Sequence, residues 1–366
     1  MRILDDKSLH RLIHSLGKKA DEEAELSELL NEYLAIQEEN IDSIHGFEGK
    51  EDFERFFLSC FDDLPKSLVK GCERKLFPYM KALDDVSFVR DDPYYSVLKG
   101  LSFKEKGLSL YEKEVAPGEL FPYSCYEAGP SPYYDERPSF AYSSKPFSYP
   151  VFSKDGRPWM SLVPHEIKTM GKAISECEGE VLTYGLGMGY FAYRACLKED
   201  VSRVSVVESD ETVISFFKQH LLPSFPKGKI AIIEGDALEF ARSCPKGKYD
   251  YLFCDIYHDV EDGLPLYIEL KKSEGAARRN AYWIEEDLLV YFRRYLIGYL
   301  NEQIDPSFVR LGDKPYSEGN DFSSRLFRGI HFLFKSREIS TQEDVSKLLS
   351  DSSLEQIICG IDLKID

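Results

Sequence analysis

A histidine between two aspartates is a group of residues that could move a proton. His258 lies in the segment DIYHDVEDG, with Asp255 three positions before it and Asp259 directly after it. An imidazole titrates close to neutral pH in water, so it can accept a proton at physiological pH. Asp255 or Asp259 could orient that ring or act as the base directly. The segment therefore predicts three catalytic candidates, His258, Asp255 and Asp259, and the alternative is a solvated acidic loop without a catalytic role.

Three acidic residues lie at or within three positions after the ends of apolar runs that predict β-strands. They are Glu208, Asp236 and Asp255. The runs before them cover 204–207, 230–233 and 249–254, and the last is apolar enough to be buried on both faces. The carboxyl ends of parallel strands meet at one edge of a sheet, which is where doubly wound sheets bind ligands. We therefore expect the three acidic side chains to face one ligand site.

A glycine-rich turn joins a predicted strand at 181–184 to a predicted helix at 190–198. Its glycines are Gly185, Gly187 and Gly189. Residues without a Cβ let the chain turn tightly and let a ligand approach the main chain. Glu208 follows Gly185 by 23 positions, close to the spacing at which an acidic residue holds the ribose in a nucleoside-binding βαβ unit. This combination predicts a nucleoside cofactor.

Four ordered motifs, VLTYGLGMG, VVESD, IIEGDAL and YDYLFCDIY, resemble the class I S-adenosylmethionine-dependent methyltransferases, including the related spermidine synthases. The resemblance covers about residues 178–300 and implies S-adenosyl-L-methionine as the cofactor. It implies that the three glycines lie under the methionine moiety, that Glu208 binds the ribose, that Asp236 meets the adenine and that Asp255 borders the reacting groups. The neighbouring residues Tyr184, Ser209 and Ala237 are assigned to the same cofactor site.

Two positions depart from common dinucleotide or methyltransferase patterns. Many methyltransferases have an acid two positions before the first glycine, where this chain has Thr183. Tyr190 stands where the third glycine of a G-x-G-x-x-G motif would be, so an NAD site is disfavoured.

A β-hairpin is predicted before the glycine turn. Lys154-Asp155-Gly156-Arg157 is a turn signal between apolar runs at 149–152 and 159–163, and a helix is expected after Pro164. This order resembles the spermidine synthase layout, in which a His-Glu pair at the start of the helix, here His165 and Glu166, lies beside the methionine end of the cofactor. The alternative is that Glu166 only complements the helix dipole.

Three functions are compatible with these residues. The first is methyl transfer from S-adenosyl-L-methionine to a small-molecule acceptor, which makes the protein a transferase. The second is aminopropyl transfer of the spermidine synthase kind, although His258 stands where those enzymes carry an acid, with Asp259 next to it. The third is a non-catalytic nucleoside-binding scaffold. Two features suggest it: Thr183 at the usual acidic position, and helical periodicity at 321–360, where most members of the resembled family end in an antiparallel hairpin.

The fold class predicted is α/β, a doubly wound Rossmann-like methyltransferase sheet preceded by an α-helical amino-terminal domain and a small β-rich segment. The predicted boundaries are 1–106 for the helical domain, 107–165 for the β-rich segment, 166–305 for the cofactor-binding domain and 306–366 for a mainly helical extension. The fifth strand is predicted at 281–286 and its helix at 288–300, and Thr341 with Asp344 forms a capping-box-like signature. The amino-terminal helices are expected either to close over the active site or to form a contact in a homo-oligomer.

The β-rich segment is rich in tyrosine, which favours either aromatic walls for an acceptor pocket or ordinary packing of half-buried strands. The tyrosines concerned are Tyr123, Tyr126, Tyr133, Tyr134, Tyr142 and Tyr149.

Composition narrows the partners that we expect. The 366 residues include 64 acidic and 46 basic side chains, a formal net charge of −18. That charge disfavours nucleic acid and anionic membranes. The eight cysteines lie far apart and form no C-x-x-C pair, so no metal site is predicted and reduced thiols in a cytoplasmic protein are expected. The amino terminus lacks the apolar core of a signal peptide.

Overall fold

The computed structural model describes residues 1–39, 50–83, 85–128, 136–304 and 319–364. Its strands are, in chain order, β1 Arg2–Ile3, β2 Lys81–Leu83, β3 Phe103–Glu105, β4 Leu108–Val115, β5 Leu120–Ala128, β6 Glu136–Ser143, β7 Phe147–Lys154, β8 Arg157–Ser161, β9 Gly179–Tyr184, β10 Val201–Glu208, β11 Ile230–Glu234, β12 Tyr249–Cys254, β13 Ala277–Tyr282 and β14 Glu338–Ile339. Its α-helices are α1 Lys7–Glu39, α2 Lys50–Ser59, α3 Lys66–Gly71, α4 Ser87–Arg90, α5 Pro93–Leu98, α6 Pro164–Glu176, α7 Tyr190–Cys196, α8 Glu211–Phe216, α9 Ala237–Ser243, α10 Val260–Lys272, α11 Glu285–Ile304, α12 Phe322–Phe334, α13 Gln342–Leu348 and α14 Asp351–Gly360.

Five parallel strands form the sheet that carries the predicted ligand edge. Their order is β11-β10-β9-β12-β13, so the first strand of the unit lies in the middle, with the second and third on one side and the fourth and fifth on the other. The order 3-2-1-4-5 is that of a Rossmann-like sheet, whose ligand crevice opens beside the first strand. The structure thus confirms the predicted α/β fold with a doubly wound Rossmann-like sheet.

The fifth strand does not lie where the sequence pattern places it. The prediction of 281–286 is wrong, because β13 ends at Tyr282 and pairs with β12 from Ala277 onward. Ile284 has a positive φ of 46° and turns the chain into α11, which begins at Glu285. The strand was missed because its first half is polar, whereas the apolar Trp283 and Ile284 are buried in the turn after it.

The amino-terminal helices pack into two different cores. Leu9, Ile13 and Leu16, on the first half of α1, belong to the core of the parallel sheet. The second half of α1 packs with α2 in a separate core that is rich in aromatic rings. In that second core, Tyr142 of β6 stacks on Phe53 with ring centroids 4.9 Å apart. The helical character predicted for this region is confirmed, but its first helix also supports the sheet.

The β-rich segment forms two small sheets, ordered β2-β6-β5 and β3-β4-β7-β8. The predicted hairpin is confirmed as β7 and β8, and its turn has positive φ angles of 50° at Asp155 and 80° at Gly156. Such angles at both central residues match the right-handed twist of a two-residue hairpin. The hairpin leads directly into α6, which starts at Pro164 as predicted.

The carboxyl-terminal region is helical, as its sequence periodicity predicts. Helices α12, α13 and α14 lie there, and the Thr341 and Asp344 capping box is present at the start of α13. A short parallel pairing joins β14 to β1 at the other end of the chain. Among the described residues β13 is an edge strand of the parallel sheet, and no helix there is long and apolar enough to span a bilayer.

Candidate functional site

A cavity of about 390 Å³ opens at the carboxyl ends of the parallel strands. Its volume is in the range usual for a small-molecule site. The predicted site residues that line it are Glu166, Gly185, Gly187, Glu208, Ser209, Asp236, Ala237, Asp255 and His258. Most of the predicted ligand residues come together because they follow strands of the parallel sheet, whereas Glu166 is brought there by α6.

The glycines of the turn are required by the backbone conformation and by close contacts within the protein, in addition to any space that a ligand needs. Gly185, Gly187 and Gly189 all have positive φ angles, of 88°, 50° and 84°. A Cβ at Gly185 would overlap with the backbone carbonyl of Asp255, and one at Gly189 would lie 2.7 Å from the ring of Phe217. Gly189 is the residue before α7 and does not line the cavity. Its glycine is thus required by packing, whereas Gly185 and Gly187 form part of the cavity wall.

Glu208 is held rigidly at the end of β10. Its side chain is 8% exposed, and its two carboxylate oxygens accept the N–H groups of Leu186, at 3.0 Å, and Asp210, at 2.9 Å. Each oxygen keeps a second lone pair. A carboxylate fixed in this way can accept two further hydrogen bonds from neighbouring hydroxyls on a ligand, which is the chemistry that a ribose needs.

Two further carboxyls of the wall, Asp255 and Glu166, have raised pKa values because they are shielded from water. Burial, with the added charge of Glu208, raises the pKa of Asp255 to about 7. Burial and the charge of Asp255 raise the pKa of Glu166 well above its usual range. The Oε2 atom of Glu166 is buried and has no hydrogen-bond partner among the described residues. This part of the cavity therefore suits a cationic ligand group or a group that donates hydrogen bonds.

His258 has a different partner from the two that the sequence suggests. Its Nδ1 lies 2.9 Å from Oδ2 of Asp262, and the side chain of His258 is 63% exposed. Asp259 caps α10, where its Oδ1 accepts the N–H groups of Glu261 and Asp262. The interpretation that Asp255 or Asp259 orients the imidazole is wrong, because the hydrogen-bond partner of the ring is Asp262. The spacing of four residues is the signal that could have identified Asp262.

Asp236 combines a structural and a cavity-facing position. Its Oδ1 caps α9 by accepting the N–H of Glu239 at 2.9 Å, and the residue lines the cavity with Ala237 beside it. The predicted adenine contact at Asp236 stays a prediction.

Besides Gly189, two predicted cofactor residues do not reach the cavity. Tyr184 is 1% exposed and packs its ring edge-on against Phe240, with centroids 6.2 Å apart. His165 lies outside the wall next to Trp283, and desolvation lowers its pKa to about 4, so it is neutral at physiological pH. The His-Glu pair is thus divided, since Glu166 faces the cavity and His165 does not.

The aromatic wall comes from residues that the sequence did not single out. Trp159, Tyr257 and Trp283 line the cavity, and the indole N–H of Trp283 donates to the hydroxyl of Thr169 at 2.9 Å. None of the four described members of the tyrosine-rich group lines it, so ordinary packing accounts for them; Tyr133 and Tyr134 lie outside the described residues. The signal for Trp159 was its position in the predicted hairpin.

Lys154 and Met160 also reach the cavity from the hairpin. Lys154 forms an ion pair with Asp210, after β10, and lies 5.2 Å from the ring centre of Trp159. Among the described residues that line the cavity, Lys154 is the only lysine or arginine. The hairpin thus contributes a wall, and the one hairpin cation that lines this wall among the described residues, Lys154, is paired with Asp210.

Comparisons with known proteins give similar structures but no relative by sequence. No family model matches the chain, and no curated protein matches it. The spermidine synthase from Thermotoga maritima is similar at 15% identity and a TM-score of 0.29, over 41% of this chain and 58% of that one. A probable spermidine synthase from Corynebacterium glutamicum is similar at 17% identity and a TM-score of 0.28, over 35% and 52%. A putative caffeoyl-CoA O-methyltransferase from Staphylococcus aureus is similar at 24% identity and a TM-score of 0.23, over 30% and 48%.

The matched part thus spans between about half and three fifths of each of these proteins. The strand order defines the fold class, a Rossmann-like α/β sheet. Which reaction the protein carries out has to be argued from the residues of the cavity.

Proposed function

We propose that the protein binds S-adenosyl-L-methionine in this cavity and transfers a methyl group to a small-molecule acceptor. The observation that carries the proposal is Glu208, whose two oxygens are fixed by the N–H groups of Leu186 and Asp210 beside a glycine turn. Pre-organised acceptors of this kind suit the two hydroxyls of a ribose. The cofactor, when bound, supplies a methyl group that is activated by a positively charged sulfur.

The acidic wall fits the rest of that cofactor. Glu166 is a buried carboxyl with an unpartnered oxygen, so it can receive an ammonium group. It would take the place of the acid that this chain lacks at Thr183, whose hydroxyl instead lies 3.5 Å from the carbonyl of Gly185. Asp236 and Ser209, on the side of β10 and β11, would border the nucleoside.

Asp255 is the group that we assign as the proton acceptor. A base works best when its pKa lies near the working pH, and Asp255 titrates at about 7 at the cavity wall. It would take the proton that an acceptor hydroxyl or ammonium must lose. His258 is a second candidate, since it lines the cavity mouth and is oriented by Asp262.

Calorimetric titration with S-adenosyl-L-methionine and S-adenosylhomocysteine tests the proposal. Wild-type protein should bind both, and Glu208→Ala should weaken binding by about 10- to 100-fold, the effect of losing hydrogen bonds to a charged group. Glu234→Ala is a matched control, because Glu234 pairs with Glu208 in register at the end of β11 but lies outside the cavity wall. Absence of binding by the wild type, or equal loss in both variants, would refute the site.

A second candidate, aminopropyl transfer from decarboxylated S-adenosylmethionine, is favoured by the charge of the wall. Five carboxylic side chains line the cavity, Glu166, Glu208, Asp210, Asp236 and Asp255, against the single paired cation of Lys154. A ligand with two positive charges and no carboxylate suits that balance. Tighter binding of the decarboxylated compound, with methylthioadenosine as the product after incubation with polyamines, would support this function over methyl transfer.

A further inference from the structure

One residue of the glycine turn, Met188, has both its backbone N–H and its carbonyl bound by segments outside the parallel sheet. The hydroxyl of Tyr94, on α5, donates to the carbonyl oxygen of Met188. The N–H of Met188 donates to the sulfur of Met160, on β8, at 3.2 Å. Tyr94 is fully buried, and burial raises the pKa of its hydroxyl, so the hydroxyl stays protonated and can donate.

The two contacts differ in strength and in access to the cavity. Tyr94 packs behind the turn, with its ring 4.9 Å from that of Tyr193. Met160 is half-buried and lines the cavity itself. A thioether is a weak hydrogen-bond acceptor, and the methionine chain has three rotatable bonds. The contact at the Met188 N–H is therefore one that a stronger acceptor on a ligand can replace.

Met160 also fills the space beside Gly187. A Cβ at Gly187 would overlap with the Met160 sulfur. The glycine at this position is thus required by the methionine side chain, which lies where a ligand could otherwise approach the main chain. Any ligand group that enters this space has to displace the thioether.

Three other N–H groups of the turn already have acceptors within the protein. The N–H of Gly185 donates to Val207, that of Leu186 to Glu208 and that of Gly189 to Leu186. Lys154, which also lines the cavity, is already paired with Asp210. Glu166 and Asp255 line the same cavity, so a carboxylate placed at the turn needs a donor such as the Met188 N–H.

We propose that Met160 determines how strongly the cavity distinguishes a nucleoside tail that carries a carboxylate from one that does not. Its thioether competes with the carboxylate for the Met188 N–H and for the space beside Gly187. Met160 thereby lowers the affinity for the carboxylated tail. This inference rests on the nucleoside site of the proposed function and on neither of the two transfer reactions.

Two matched ligands test the role of Met160. S-adenosylhomocysteine and its decarboxylated analogue, S-adenosyl-3-thiopropylamine, differ only in the carboxylate, and neither has a charged sulfur. Dissociation constants are measured for both with wild type, Met160→Leu and Met160→Ala. We expect Met160→Ala to strengthen S-adenosylhomocysteine binding by about tenfold and the analogue by less than about twofold, because a charge-assisted hydrogen bond becomes available. Met160→Leu, which frees the N–H but keeps the bulk, should give a smaller gain with the same sign.

Tyr94→Phe is the control at the carbonyl of the same residue, Met188. It removes the donor to the Met188 carbonyl without opening the cavity, so it should weaken both ligands by a similar factor and leave their ratio unchanged. An unchanged ratio in Met160→Ala, or an equal gain for both ligands, overturns the role of Met160 while the nucleoside site stands. If neither ligand binds the wild type, the nucleoside site and the role of Met160 both fall.

Discussion

The carboxyl of Asp255 lies at the cavity wall, where desolvation and the charge of Glu208 raise its pKa to about 7. A positive charge placed beside it would lower that pKa again. Binding of S-adenosyl-L-methionine at about pH 7 should therefore release a fraction of a proton. Calorimetry in two buffers with different ionisation enthalpies measures this release directly, without knowledge of the acceptor.

One control ligand and one control variant test the origin of this proton release. The ligand lacks the positive charge of the sulfur, and the variant lacks the carboxyl of Asp255. S-adenosylhomocysteine has a neutral sulfur and should release fewer protons than S-adenosyl-L-methionine. Asp255→Asn should abolish the difference between the two ligands. Equal proton release for both ligands in the wild type would show that Asp255 does not sense the sulfonium.

Asp287 is another carboxyl with a raised pKa, but it lies outside the cavity wall and stabilises the fold. Burial raises its pKa to about 7, and its Oδ1 accepts the N–H of Tyr126 at 2.6 Å. Between about pH 4 and 7 the folded state holds a proton that the unfolded chain has released, so stability falls as pH rises through this window. Asp287→Asn keeps the acceptor and should raise the free energy of unfolding at pH 8 by on the order of 2 kcal/mol.

Urea unfolding at pH 5 and pH 8 measures the effect of Asp287. The gain from Asp287→Asn should be much smaller at pH 5, where the wild-type carboxyl is protonated. Glu286→Gln, at the exposed neighbouring position, removes one of the charges that raise the pKa of Asp287, so it should give a smaller gain of the same sign at pH 8. A loss of stability in Asp287→Asn at pH 8 would contradict the assignment.

The site residues that could be predicted are those whose place follows from strand ends. Glu208, Asp236 and Asp255 face one cavity because parallel strands end at one edge, which the sequence reveals through its apolar runs. Tyr184 was not predictable as a core residue, because the direction of its side chain depends on the packing of α9 against the sheet. The role of Met160 was equally hidden, since it depends on a contact between a strand residue and a turn residue 28 positions apart.

At the start of α10, Asp259 is a helix cap, and this position can be tested against its predicted role as a base. Asp259 and Asp262 form a reciprocal capping box at its start. Such a cap contributes about 1 kcal/mol, so Asp259→Ala should lower the free energy of unfolding by that amount and leave cofactor affinity unchanged. Asp259→Ser keeps a capping oxygen and should restore the stability. Chemical unfolding and calorimetry check both variants, and a loss of cofactor affinity in Asp259→Ser would place Asp259 in the site.

Elements with strong local signals were predictable, and those that depend on distant partners were not. The hairpin turn at Asp155 and Gly156 and the box at Thr341 and Asp344 are set by neighbouring residues, so the sequence identifies them. The fifth strand is polar at Arg278 and is stabilised as a strand by its pairing with β12. Pairing of that kind leaves little trace in a single sequence.

Across the whole molecule, the two ends of the chain support the sheet together. Helix α1 packs against α11, and β1 pairs with β14. Asn301 of α11 is fully buried and donates to the carbonyl of Ile13 on α1 at 3.1 Å. The amino-terminal helix is thus part of the core that positions α11 and, through Trp283 and Tyr257, one wall of the cavity.

A pair of helical glycines tests this contact between α1 and α11. A Cβ at Gly17, in α1, would lie 2.9 Å from the Asn301 amide nitrogen, which is fixed by its bonds to Ile13 and Ile297. Gly171 also lies within a helix, but a Cβ there would meet nothing within 4 Å. Alanine has the higher helix propensity, so Gly171→Ala should stabilise the protein by about 0.5–1 kcal/mol.

Gly17→Ala should instead destabilise it by about 1–3 kcal/mol, because overpacking outweighs the gain in propensity. Urea unfolding followed by far-UV circular dichroism measures both variants. Because α1 shares its core with the sheet, Gly17→Ala should shift the main unfolding transition rather than create a separate early one. Stabilisation by Gly17→Ala would show that α1 and α11 are not packed as closely as the buried Asn301 requires, and the cavity wall would then have to be held without the amino-terminal helix.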